Sequence, residues 1–185
     1  MRIIGGKFKG KTIQFIKSVV TRPLKDSVKE SIFNILAHSK QINIDIKKAR
    51  VIDLYSGIGS FGIECLSRDA GEVTFVEKDN KAIEILKQNL KKISINNQVT
   101  VINDKIENMI EKNKKRYNIF FFDPPFKTFD FIKILQIIKD NKNFYSDHII
   151  IIHREKNTEE SFEDVIEVLT IRYYGRSKIV FGKFK

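Results

Sequence analysis

The sequence predicts an α/β fold built on a mostly parallel sheet with helices on both faces. Three observations carry this. From residue 50 onward, short apolar strands alternate with helical segments, the pattern of βαβ units. Ile149 to Ile152 is an unbroken isoleucine run, which reads as a strand buried on both faces. A glycine-rich turn, Asp53 to Gly62, joins the first of these strands to a helix.

The elements follow in order. Residues 1–22 read as a small β-ribbon or arm, with Gly5, Gly6 and Gly10 as turn points. Ser27-Val28-Lys29-Glu30 has capping-box spacing and opens a helix. Val28, Ile32, Ile35 and Leu36 carry its apolar face to about His38. Val51 to Leu54 is a strand, followed by a helix at about 60–68. Val73 to Val76 leads to a helix from Asp79, with Ala82, Ile83, Leu86, Leu90 and Ile93 on one face. Val99 to Ile102 precedes a short helix carrying Ile106, Met109 and Ile110. Ile119 to Phe122 precedes a helix carrying Phe131, Ile134, Leu135 and Ile138. His148 to Ile152 is the fifth strand. Residues 165–173 and 178–184 form a hairpin around Gly175-Arg176 that adds an antiparallel strand to one edge. The 185 residues fit one domain, an N-terminal basic arm (1–22) on a core (23–185).

Composition narrows the setting. The apolar runs are too short for a transmembrane helix, and the opening Met1 to Lys7 has no signal-peptide stretch. The single cysteine, Cys65, excludes an internal disulfide and a cysteine metal cluster, so a cytoplasmic setting is expected. Net charge is +11. Residues 1–50 hold 12 Lys/Arg against 3 Asp/Glu, a net of +9, and the rest of the chain is near balance. Codon bias toward lysine would act along the whole chain, so this asymmetry points to a polyanionic partner at the N-terminal segment.

Two motifs carry chemistry. In the first, Asp53, Ser56, Gly57, Gly59 and Gly62 lie on the strand-to-helix turn, where bare backbone lets a ligand approach. Glu77, at the end of the next strand, can accept ribose hydroxyls. This glycine spacing also fits NAD, but an acid at Asp53 suits an ammonium group and would repel a pyrophosphate. The second motif, Asp123-Pro124-Pro125-Phe126, follows the fourth strand and faces the same cleft. A nucleobase amine is a poor nucleophile because its lone pair is delocalised. Hydrogen bonds to the Asp123 carboxylate and a backbone carbonyl such as that of Pro124 favour a pyramidal nitrogen. Phe126 offers a stacking face, worth ~1–3 kcal/mol in comparable sites. An isolated Asp-Pro turn would merely end a strand; the pairing with the glycine turn selects the catalytic reading. Asp104, after the third strand, either accepts an adenine amino group or caps a helix with Glu107. His38, His148 and His153 are scattered and form no metal or triad pattern. Cys65 reads as a small core residue on the helix after the turn.

Taken together, these residues resemble the bacterial small-subunit ribosomal RNA guanine-N2 methyltransferase D family. The likeness rests on Met1 to Gly10, on Arg22-Pro23 with Asp26, Val28, Glu30, Phe33 and Asn34, and on the two motifs with Glu64, Leu66-Ser67-Arg68 and Glu77. It runs to about residue 155. Leu24 and Lys25 stand where the family commonly has threonines, Ser27 where it has arginine, and Tyr55 where it has an apolar residue. The resemblance implies a class I methyltransferase fold with a seven-stranded sheet. It implies S-adenosylmethionine as cofactor, no metal, and one guanine N2 of small-subunit ribosomal RNA as target. The partner would be an assembled or assembling ribosomal particle, gripped by Arg2, Lys7, Lys9, Lys11 and Arg22, with no membrane and the chain a monomer. Alternatives are an adenine-N6 or cytosine-N4 amino-methyltransferase, or a non-catalytic RNA-binding assembly factor.

Overall fold

Burial decides which strands fill the middle of the sheet. A computed structural model describes residues 1–15, 24–95, 97–125, 130–162 and 164–185. Among them, seven strands form one sheet: β1 (Arg50–Leu54), β2 (Glu72–Glu77), β3 (Val99–Asn103), β4 (Tyr117–Phe122), β5 (Phe144–Glu155), β6 (Ile166–Tyr174) and β7 (Ser177–Phe184). Their order is β3-β2-β1-β4-β5-β7-β6. The first five pair in parallel; β7 runs antiparallel to both β5 and β6. The helices are α1 (Asp26–His38), α2 (Ser60–Ser67), α3 (Asn80–Lys92), α4 (Ile106–Lys112) and α5 (Phe131–Asp140). No helix among the described residues is long and apolar enough to cross a membrane.

The expected hairpin adds one antiparallel strand, but β7 lies inside the sheet and β6 takes the edge. Ile179, Val180 and Phe181 of β7 are fully buried, whereas β6 leaves Val168, Ile171 and Tyr173 exposed. The strand apolar on both faces goes inside, because only an interior place covers both.

Side chains alternate across the pleat, so each strand sorts its residues by parity. Val51, Val73, Phe75, Ile119, Phe121, Ile149 and Ile151 join one cluster with α1, α2 and α3. Ile52, Leu54, Val76, Phe120, Phe122, Ile150 and Ile152 join the other with α4 and α5. Phe61 of α2 stacks on Phe121 with ring centroids 4.0 Å apart. The four isoleucines are buried, as expected of a strand covered on both sides.

Three local expectations are corrected. Helix α1 starts at Asp26 with Lys25 at the cap position, and no side chain caps it. An acid in the first turn suits the positive helix end, so Asp26 fills the place expected of Ser27. Helix α4 likewise has Lys105 at its cap position, so Asp104 and Glu107 form no capping box. The N-terminal segment is a folded patch more than a ribbon: one bridge, Arg2 to Thr12, closes around a short 3₁₀ turn at Gly6–Phe8. Ile3 and Ile13 sink into the core and hold it down.

Candidate active site at the carboxyl ends of the strands

The chain leaves β1 for β2 on one side and later returns to β4 on the other, so β1 and β4 flank a switch point. Open α/β sheets bind ligands there. Register then places the acids. Asp53 pairs with Phe121, so Asp123 lies just past it on the neighbouring strand, and Glu77 ends the strand on the far side. All three have the parity of the face that packs on α2. The Asp53 carboxyl is pushed well above its usual range, first by burial, with Asp123 and Glu77 adding repulsion and the Gly62 N–H opposing it. A cation placed among these acids would relieve that repulsion.

The glycine turn is tied from both sides. Asp53 Oδ2 accepts the Gly62 N–H at 2.9 Å, anchoring the start of α2. Glu77 Oε2 accepts the Gly57 N–H at 2.9 Å, and its Oε1 accepts the Lys78 and Asp79 N–H groups at 2.8 and 2.9 Å. A carboxylate has about four acceptor positions, so Glu77 retains room for one further donor. Gly57 and Gly59 have φ of 53° and 84°. A Cβ on Gly59 would lie 2.4 Å from Leu86, whereas one on Gly57 would meet nothing within 4 Å. Gly57 therefore borders open space that a ligand can enter. Tyr55 also has positive φ, 62°, unfavourable for a bulky residue and the kind of strain found at functional turns. Ser56 Oγ is buried with no hydrogen-bond partner among the described residues. Open space, an orphaned hydroxyl and converging carboxylates fit a ligand that is both cationic and hydroxylated, as S-adenosylmethionine is.

Asp123 sits at the mouth of the cleft. Its carboxylate keeps 23% of its surface exposed. Pro124 is buried and Pro125 exposed. Phe126, expected as the stacking face, lies outside the described residues, as does Arg22. Asp104 is set apart: its Oδ1 accepts the Lys105 N–H and an Asn108 Nδ2 donor at 2.7 and 2.9 Å. Those two bonds lower its carboxyl below the usual range.

Several side chains that sequence reasoning passed over meet at this end. His153 Nδ1 lies 2.9 Å from Asp123 Oδ1, and its Nε2 lies 2.9 Å from Ser177 Oγ. The expectation that the histidines are scattered is therefore corrected for His153. Burial disfavours charge on this ring, but the Asp123 carboxylate outweighs it and moves the imidazole above its ordinary value. Arg154, fully buried, donates Nη1 to the Pro124 and Pro125 carbonyls at 3.4 and 3.1 Å. Its Nε bonds Glu160, which also pairs with Lys178 at 3.2 Å, and its guanidinium lies over Phe131 at 4.9 Å. One arginine thus touches both Asp123's neighbours and the first residue of α5. The available signal was positional: His153 and Arg154 lie near the carboxyl end of β5, the strand beside β4.

The basic residues lie elsewhere. Arg2, Lys7, Lys9 and Lys11 are exposed on the docked N-terminal patch. Arg2 lies 3.7 Å from Asp26 and Lys7 3.2 Å from Asp69. Lys9 and Lys11 make no ion pair among the described residues. The patch reaches the glycine turn through Asn89, fully buried, which binds Gln14 N and O at 2.7 and 3.1 Å and the Ile58 carbonyl at 3.2 Å.

Known proteins are similar to this chain over most of its length. The family described as Conserved hypothetical protein 95 matches residues 1–183. Ribosomal RNA small subunit methyltransferase D of Buchnera aphidicola subsp. Baizongia pistaciae is 36% identical over 158 residues, 85% of this chain and 77% of the relative. The protein of the same description from Escherichia coli strain K12 is 30% identical over 155 residues, 84% of this chain and 75% of the relative. Among solved structures, the Escherichia coli protein yhhF superposes with a TM-score of 0.85 at 25% identity, covering 100% of this chain and 98% of that one.

Proposed function

The chain belongs to the family described as Conserved hypothetical protein 95, and on that premise we propose that it methylates the exocyclic N2 of a guanine in small-subunit ribosomal RNA. The observation that carries this is the gathering of Asp53, Glu77 and Asp123 at one switch point, beside an orphaned Ser56 hydroxyl. The relatives' descriptions as small-subunit ribosomal RNA methyltransferases supply the substrate class. S-adenosylmethionine, when bound, supplies an electrophilic methyl group on a sulfonium. The residues that would hold it are Asp53, Ser56, Gly57, Gly59, Gly62 and Glu77, with Asp104 assigned to the adenine end.

The protein's part is to prepare the nitrogen. Asp123 accepts one amine hydrogen, and the Pro124 carbonyl accepts the other. That carbonyl receives Arg154 only at 3.4 Å, leaving a lone pair for the base. Both hydrogens held, the nitrogen lone pair turns out of the ring plane; on transfer the carbon–sulfur bond would break as the carbon–nitrogen bond forms, S-adenosylhomocysteine would leave, and the surplus amine proton would pass by the Asp123 carboxylate to solvent. Asp123, Pro124 and Pro125 form a stiff turn, and Phe126 is assigned to stack on the base. Taking the base out of its stack costs a few kcal/mol, offset by that stacking and by phosphate contacts. Aligning the reacting atoms lowers the barrier by up to ~7–11 kcal/mol. The substrate is an assembled or assembling particle bound by a monomer.

The test is transfer from labelled S-adenosylmethionine to undermethylated small-subunit particles, with nuclease digestion and mass spectrometry. N2-methylguanosine is expected, and Asp123→Ala should abolish transfer while leaving cofactor affinity within a few-fold. N6-methyladenosine or N4-methylcytidine as main product would reject the guanine assignment. Equal turnover by Asp123→Ala would reject the role of its carboxylate.

A further inference from the structure

We propose that His153, itself held by Ser177, is a positioning residue that fixes the orientation of the Asp123 carboxylate and so turns its unengaged oxygen to the substrate amine. The assignment rests on the methyl-transfer reading above. Three adjacent strands build it. Asp123 follows β4, His153 is near the end of β5, and Ser177 opens β7. Their side chains share the parity of the face on which Asp53 and Glu77 lie.

The bonding determines the roles. An ionised carboxylate only accepts, so His153 Nδ1 carries the hydrogen that meets Asp123 Oδ1 at 2.9 Å. In the neutral ring, Nε2 is then an acceptor, and the Ser177 hydroxyl donates to it at 2.9 Å. Asp123 thereby fixes the hydrogen on Nδ1, and the Ser177 hydroxyl, able to donate or to accept, holds the other side of the ring. A terminal carboxylate torsion is soft and roughly two-fold, so nothing in the aspartate itself chooses an orientation. The imidazole chooses it by engaging Oδ1, and Oδ2 remains for the amine. Exposure agrees: the His153 side chain is 8% exposed and that of Asp123 23%, so the ring lies behind the carboxylate and not in front of it.

His148 on the same strand shows the contrast. Its Nδ1 meets the Tyr145 carbonyl at 2.7 Å, and its Nε2 accepts the Phe184 N–H at 2.9 Å. That histidine pins backbone to backbone. The His153 ring nitrogens instead meet side chains, and one of these belongs to the residue assigned to the amine.

The test combines tautomer and kinetics in the full chain. Nitrogen-15 spectra of the labelled protein should show the His153 Nδ1 protonated. With labelled S-adenosylmethionine and undermethylated particles, His153→Ala should lower kcat by about 10–100-fold, the range for removing a hydrogen bond to a charged group. KM for cofactor and particle should change less than about twofold, since the missing bond acts on the orientation of Asp123 and not on binding. His153→Asn, whose amide N–H can stand where Nδ1–H stood, should recover most of the activity. Ser177→Ala, at the partly exposed outer end, should lower kcat by about fivefold, as expected of a neutral hydrogen bond. If His153→Ala does not fold, seen as an absence of calorimetric cofactor binding, Ser177→Ala and the tautomer spectrum decide. Undiminished turnover in His153→Ala, no recovery in His153→Asn, full activity in Ser177→Ala, or an unprotonated Nδ1 would overturn the proposal. A wild-type chain that transfers no label would instead overturn the reaction on which it rests.

Discussion

Glu77 holds the glycine turn, and the proposed function gives it a second role toward the cofactor. Its carboxylate holds the backbone of the glycine turn through Gly57 and that of the approach to α3 through Lys78 and Asp79. One acceptor position remains for a ribose hydroxyl. Glu77→Ala should therefore weaken S-adenosylmethionine binding by ~1.5–3 kcal/mol, the worth of a hydrogen bond to a charged group. Titration calorimetry reads this directly. Unchanged affinity would leave Glu77 with the turn alone.

At the scale of elements, the N-terminal segment is a docked patch whose fastening lies in buried charge. Glu64 of α2, fully buried, accepts the Ile4 and Gly5 N–H groups at 2.9 and 2.7 Å. It also pairs with Arg68 at 3.1 Å and with the fully buried Lys29 at 3.6 Å. Burial pulls the Lys29 ammonium below its usual range, and Glu64 and then Asp26 pull it back. Glu64→Gln would leave Asp26, at 3.8 Å, as the one acid beside that ammonium among the described residues, with the Arg2 carbonyl at 2.9 Å and Ser60 Oγ at 3.5 Å as neutral acceptors. Removing one partner of a buried pair typically costs 3–5 kcal/mol; the remaining acid puts the expected destabilisation near ~3 kcal/mol. Urea unfolding measures it, and a change below about 1 kcal/mol would show that the pair contributes little to holding the patch.

At the scale of the molecule, the described cations of the N-terminal patch and the acids of the cleft belong to different parts of the fold. The charge excess lies in residues 1–50, while the cleft is lined by acids. A polyanion would thus be gripped at the patch and avoid the cleft unless a base is delivered into it. Neutralising Lys7, Lys9 and Lys11 together should weaken RNA binding and flatten its salt dependence by about 0.7 log unit per log salt for each phosphate no longer neutralised. Lys9 and Lys11 should carry most of this, since Asp69 already pairs with Lys7. Cofactor binding should be nearly unchanged, and an unaltered salt slope would place the RNA surface elsewhere.

Local pattern alone determined the strands, the helices, the parallel core and the two motifs, because periodicity and turn chemistry act over a few residues. Ile149 to Ile152 announced a strand buried on both faces, and Asp53 to Gly62 announced a glycine-rich strand-to-helix turn. Tertiary structure decided what depends on register and order. Which hairpin strand goes inside followed from the burial of Ile179 to Phe181 against β5. His153 looked isolated in the chain because 30 residues separate it from Asp123. Parallel pairing of β4 with β5, with Phe122 opposite Ile152, brings the two residues that follow side by side on one face. A contact of that kind is made by strand order and pleat, and no window of sequence contains it.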